Sequence, residues 1–161
     1  MRPLLLALLL PLALAGCDGA AGPEAETSDP AALRAAPTTA TVAGADLTLS
    51  AYLWRDFMPG PDAPEDGSGL LGALYVQPAE GAALPAGVRA DAVFVVDGDE
   101  TWSATPEVAA DVDLYNRLAL RVSDGPAWDV GRRVDVVVRL RDGGGETHLL
   151  RAADQPIHRT D

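Results

Sequence analysis

With 161 residues, a formal net charge of -12 and 48% hydrophobic residues, the chain has room for one ordinary domain and is too apolar to remain disordered. Its 24 acids face 12 arginines and no lysine, which excludes a nucleic-acid partner gripped through its phosphates. A single cysteine excludes an intramolecular disulfide framework.

The first segment is Met1-Arg2-Pro3 followed by an apolar run from Leu4 to Ala15. Twelve residues at helical rise cover about 18 Å, short of the ~30 Å hydrocarbon layer, so the pattern predicts a cleaved signal peptide and not a permanent span. The run ends in Leu14-Ala15-Gly16-Cys17. This tetrapeptide resembles the lipobox of bacterial lipoproteins. The resemblance implies that the peptide covering 1–16 is removed, that Cys17 carries a diacylglyceryl group, and that the mature protein is lipid-anchored in the cell envelope, facing the periplasm or the exterior. Stable anchoring needs more than one acyl chain, which such a cysteine supplies.

Residues 17–44 are rich in Ala, Pro, Thr and acids without apolar periodicity, the composition of a flexible linker. Asp29-Pro30-Ala31-Ala32-Leu33-Arg34 has the cap and first-turn chemistry of a short helical turn, although nothing else in the linker offers to bury it.

From Ala45 to Asp161 the pattern becomes short β segments separated by Gly, Pro and Asp turns. Strands are expected over 46–54, 70–77, 90–96, 100–103, 117–122, 133–141 and 146–151. Residues 46–54 and 133–141 alternate with period two, whereas 70–77 and 90–96 are more continuously apolar, as central strands are. Thr105-Pro106-Glu107 hints at a helix cap. About seven strands in one all-β domain predict an immunoglobulin-like β-sandwich. The stretch Gly125-Pro126-Ala127-Trp128-Asp129-Val130-Gly131, running into Val134 to Leu140 and a Gly-rich hairpin, resembles the last two strands of immunoglobulin-like domains in bacterial envelope proteins.

No serine lies in a nucleophile elbow, and His148 and His158 lack a zinc-type spacing. The chain is therefore expected to be non-catalytic and to need no cofactor. Strand parity puts Tyr52 and Trp54 opposite Leu47, Leu49, Ala51 and Leu53, with Arg55, Phe57 and Met58 following at the mouth of a long loop. These five are either a partner-binding surface or a secondary core closed by that loop. Arg117 and Arg121 share a face, as do Arg139 and Arg141, so adjacent strands would form an anion-binding arginine strip or a solvated outer face. Asp97, Asp99 and Glu100 form the densest acidic cluster, a weak calcium candidate or a plain turn. The reading favoured is an envelope protein-binding or assembly module, with a small-ligand or calcium-binding module as the alternative.

Overall fold

The computed structural model describes residues 29–61, 64–80, 82–110 and 115–161; the signal-peptide and Cys17 assignments and residues 17–28 of the linker lie outside them. The elements are α1 (Pro30–Arg34), β1 (Thr39–Val42), β2 (Ala45–Asp56), β3 (Leu71–Pro78), β4 (Arg89–Asp97), β5 (Glu100–Ala104), β6 (Glu107–Ala110), β7 (Leu118–Val122), β8 (Arg133–Arg141) and β9 (Thr147–Thr160). Hydrogen bonding joins the strands in the order β5-β4-β8-β9-β2-β3-β7-β6, with β1 added to β2. The path folds into two layers, β2-β3-β7-β6 and β5-β4-β8-β9. These are the two sheet orders of an immunoglobulin-like sandwich.

One strand belongs to both layers. The first ten residues of β9 pair antiparallel with β8, from Thr147 opposite Arg141 to Pro156 opposite Arg133. Its last four pair parallel with β2, from Ile157 opposite Leu53 to Thr160 opposite Asp56. The handover lies just after Asp154, which takes a positive φ of 56°. Pro156 sits where a missing N–H is tolerated.

Alternation fills the space between the layers. Leu47, Leu49 and Leu53 of β2, Leu74 and Val76 of β3, Val93 and Val95 of β4, Leu118, Leu120 and Val122 of β7, and Val134, Val136, Val138 and Leu140 of β8 form one buried cluster. A second, smaller core lies on the outer side of β4, β8 and β9, where Phe94, Val96 and Val137 are buried beneath Leu33 and Ala36. This explains the unbroken apolar run of β4: both of its faces are covered.

Three sequence expectations change. Residues 29–44, expected to be linker, contribute a helix and a strand to the described fold. Asp29 caps α1 by accepting from the Ala31 N–H at 3.2 Å, and Leu33 is wholly buried. Nine strands replace about seven. The eighth, β6, takes the place of the expected helix cap, because Glu107 and Val108 pair with Arg121 and Leu120 of β7. The ninth, β1, joins β2 through the two-residue turn Ala43-Gly44, with φ of 47° and 84°. Such a turn asks for positive φ at both positions, which Ala resists. Ala43→Gly or Ala43→Asn is therefore expected to raise the thermal midpoint, by about 0.5–1 kcal/mol of stability.

Arg139 and Arg141 of β8 both bond Asp91 of β4, Arg139 through Nε to Oδ1 at 2.6 Å and Arg141 through Nε to Oδ2. Burial alone raises the Asp91 carboxyl, but the hydrogen bonds and charges of the two arginines more than offset it, holding the group below the usual carboxylate range. A depressed folded-state pKa stabilises the fold above the unfolded value of about 3.9, and the contribution disappears as pH falls through the lower folded value. Acidification from about pH 4 towards pH 2 is expected to lower the melting midpoint more steeply in the wild type than in Asp91→Asn.

Candidate functional site

The two layers differ in what lies on their outer faces. On β4 and β8 the outer side chains of Phe94, Val96 and Val137 are covered by α1. On β2, β3 and β7 no described element lies over the outer side chains. There the register sets Tyr52 of β2 opposite Ala73 of β3, Ala73 opposite Arg121 of β7, and Arg121 opposite Glu107 of β6. One row along, Trp54 pairs with Leu71 on one side and His158 on the other. Side chains alternate in and out of a strand, so the burial of Leu53, Leu74 and Leu120 turns this set outward.

Ring contacts organise one side of this face. Tyr52 stacks on the His158 imidazole at 4.6 Å and 15°, and lies 5.5 Å from Trp54 at a 33° tilt. Tyr52 nevertheless remains 45% exposed. On the neighbouring strands the Arg117 guanidinium lies 4.0 Å over the Tyr75 ring. Between these groups the floor drops to Gly72 and Ala73, making a groove of ≈ 580 Å³ that Trp54, Leu71, Tyr75, Arg121 and Ser123 help to wall. Gly72 cannot carry a larger residue: a Cβ would lie 2.8 Å from Val122 and 2.9 Å from Leu53.

The five residues expected to form a contact surface divide. Tyr52 and Met58 are exposed, and Trp54 is half-buried. Arg55 is not on the surface, because the parity that buries Leu53 buries Arg55 two residues later, leaving it 7% exposed. All its acceptors are main-chain carbonyls: Nε donates to Ser68 at 2.8 Å, Nη2 to Asp66 at 2.5 Å, and Nη1 to Ala127 and Trp128 at 3.3 and 3.4 Å. Phe57 is held between the Arg55 and Arg159 guanidinium groups, 5.1 and 3.9 Å from its ring centroid. The loop that follows β2 thus folds back over Arg55 and Phe57 and leaves Tyr52 and Trp54 outside. Gly67 closes this contact with φ of 78°, and a Cβ there would sit 2.7 Å from the Phe57 ring. Gly67→Ala is expected to cost about 1–3 kcal/mol in chemical denaturation, through positive φ and overpacking together.

The arginine strip does not form. Arg117 and Arg121 belong to the β7 side of the sandwich, whereas Arg139 and Arg141 lie on β8 in the other layer, engaged with Asp91. Parity assigns a residue to a face of its strand but says nothing about which sheet holds that strand.

Asp97, Asp99 and Glu100 surround the two-residue turn between β4 and β5. Asp97 pairs with Arg132, Asp99 is fully exposed and 3.9 Å from Arg34, and Glu100 accepts from the Trp128 indole at 3.2 Å. They engage three different partners and do not converge on one point. Among the described residues, the group with metal-ligand proximity is instead Asp142, Glu146 and His148, with one donor atom each within 4.8 Å of the others. The β8–β9 hairpin accounts for the placement of Asp142: its Oδ1 accepts from the Gly144 and Glu146 N–H groups, each at 2.8 Å, and Gly145 supplies the positive φ of the turn.

No protein-family model, curated protein or solved structure matches the chain. Fold and face together define an all-β sandwich with one outer sheet face partly covered by its own helix and the other not covered by any described element.

Proposed function

We propose that this protein is a lipid-anchored envelope protein whose sandwich serves as a non-catalytic protein-binding or assembly module, acting through the outer face of β2, β3 and β7. The observation that carries the reading is the contrast between the two outer faces. The chain spends α1 on covering Phe94, Val96 and Val137, yet leaves Tyr52, Trp54 and the groove beside them open. Aromatics beside an arginine on an open face are the composition of binding patches.

The route of the chain supports the same reading. Asp29 and α1 lie on the face of the sandwich opposite the aromatic one. Tethering then raises the concentration at which that face meets a membrane-bound partner. The alternative, a calcium module built on Asp97, Asp99 and Glu100, is not favoured by carboxylates that engage separate partners.

Three measurements test the proposal. Photo-crosslinking from position 52 in intact cells is expected to trap a discrete protein adduct that is absent when the probe is placed at Asp99. Tyr52→Ala with Trp54→Ala is expected to abolish the adduct formed from a third position, Met58, while lowering stability by no more than about 1–2 kcal/mol, as for partly exposed sites. A much larger loss would identify the pair as structural. Cys17→Ser is expected to move the protein from the membrane to the soluble fraction, and retention at the membrane would remove the lipid anchor from the account.

A further inference from the structure

We propose that Asp142, Glu146 and His148, at the tip of the β8–β9 hairpin, bind a divalent first-row transition ion of the zinc class. The site uses none of the residues of the aromatic face and stands independently of the reading given to that face.

Strand register brings the three residues together. The inward face of the hairpin carries Leu140 and Leu150, both wholly buried, and Leu140 stands opposite His148, so the imidazole continues that face at its open end. Asp142 follows two places after Leu140, and Glu146 comes two places before His148. The turn between them closes as the Asp142 N–H donates to Glu146 O and the Gly145 N–H to Asp142 O, each at 3.1 Å.

His148 carries the sign of an occupant. Its Nε2 is enclosed from solvent and has no hydrogen-bond partner among the described residues. Asp142 Oδ2 lies 3.7 Å from it, too far for a hydrogen bond. Two ligands of one tetrahedral ion, each bonded at about 2.0–2.1 Å, stand about 3.3 Å apart, so the gap is nearer to that of a shared ion than to that of a donor and its acceptor. A buried nitrogen without a partner is an exception for which a bound ion accounts.

Asp142 is already oriented for this role. Its Oδ1 is taken by the Gly144 and Glu146 N–H groups, which fixes the carboxylate and leaves Oδ2 towards His148, as outer hydrogen bonds orient the ligands of metal sites. Glu146 is exposed, and its longer side chain is free to close the remaining distance. Two held ligands and one that swings in suit a single ion, with water completing the shell. The donor set selects the ion: an imidazole beside two carboxylates suits zinc and its neighbours, whereas calcium asks for about six to eight oxygens. The spacing of His148 from His158 carries no trace of this site, because the partners of His148 are acids met across a turn.

The test uses the tag-free full chain carrying Cys17→Ser, which removes its only thiol, with Zn²⁺ as the probe. Calorimetric titration is expected to show one bound ion, and the melting midpoint is expected to rise with it. The imidazole nitrogen resonances of His148 should shift on addition of Zn²⁺ and those of His158 should not. His148→Gln and Glu146→Gln are each expected to weaken binding at least about tenfold, and His158→Gln to leave it unchanged. Because Glu146 is exposed, Glu146→Gln should melt close to wild type without metal, which separates lost ligation from lost folding. Absence of stoichiometric binding, or binding indifferent to both His148→Gln and Glu146→Gln, would overturn the site and leave Asp142 and His148 as an ion pair. Equal affinity for Ca²⁺ or Mg²⁺ would overturn the class of ion.

Discussion

Replacing Arg55 by Met is expected to lower the unfolding free energy by about 3–4 kcal/mol, measured by urea denaturation, because hydrogen bonds made by a charged donor are each worth roughly 1.5–3 kcal/mol and buried carbonyls left without a donor carry their own penalty. The side chain gathers the carbonyls of Asp66 and Ser68 from one loop and of Ala127 and Trp128 from another. No carboxylate takes part, so this cation is stabilised by main-chain dipoles. Arg55→Lys is expected to recover little, since an ammonium is a compact point charge and lacks the planar fork that reaches several acceptors at once. The two loops join the groove to the rest of the fold: Leu70 and Gly125 exchange N–H···O=C bonds at 3.2 and 3.1 Å just beyond them, next to Leu71 and Ser123 of the groove wall. Arg55→Met should therefore also weaken the crosslinked adduct expected at the aromatic face, without Arg55 touching the partner. Unchanged stability would show that the loops hold their places without it.

Removing residues 29–44 is expected to have the largest effect of any change considered. A chain that starts at Ala45 loses Leu33 and Ala36 from above Phe94, Val96 and Val137. It also loses β1 from the edge of β2, and the bonds that Arg151 makes from its N–H to Pro37 O at 2.8 Å and from Nε to Ala36 O at 3.0 Å. A core of large apolar side chains then faces water beside an open strand edge, the arrangement that leads to aggregation. The truncated chain is expected to be insoluble or molten, whereas a chain starting at Asp29 should melt with the full chain. Leu33→Ala isolates the packing term. Leu33 is wholly buried, and its truncation is expected to cost about 2–4 kcal/mol in chemical denaturation. A soluble, cooperatively folding product from Ala45 would return residues 29–44 to the linker.

These two regions also mark where sequence reasoning reached its limit. Alternation along one strand is a local property, and β2 and β8 follow it residue by residue. Carried two places beyond Leu53, the same parity turns Arg55 inward, a step obscured by its place among Trp54, Phe57 and Met58. The cap and proline of α1 are local as well, so the helical turn was readable from Asp29 and Pro30. Its burial was not, because the surface that receives Leu33 is assembled from β4, β8 and β9. A trace of that surface did exist in the apolar continuity of Val93 to Val96 and in Val137, which breaks the polar side of β8; both ask for a cover on the outer face. Sheet membership is wholly non-local, and for that reason Arg117 and Arg121 were joined to Arg139 and Arg141. Trp54 and Tyr52 were readable because residues 46–54 alternate with period two.

The division of β9 between the two layers has a mechanical consequence. A pull applied at Asp29 meets first α1 and the Ala36 and Pro37 contacts to Arg151, then the short antiparallel pairing of β1 with β2. Bonds arranged in this way give way one at a time. Beyond them lies β9, paired with β8 along one part and with β2 along the other, so further extension has to disturb both layers together. Residues 29–42 thus yield first under load, and their release uncovers Phe94, Val96 and Val137 and weakens the sandwich behind them. Force-extension traces of the intact chain are expected to show rupture of both layers following directly on release of the N-terminal segment, with no long-lived intermediate between them.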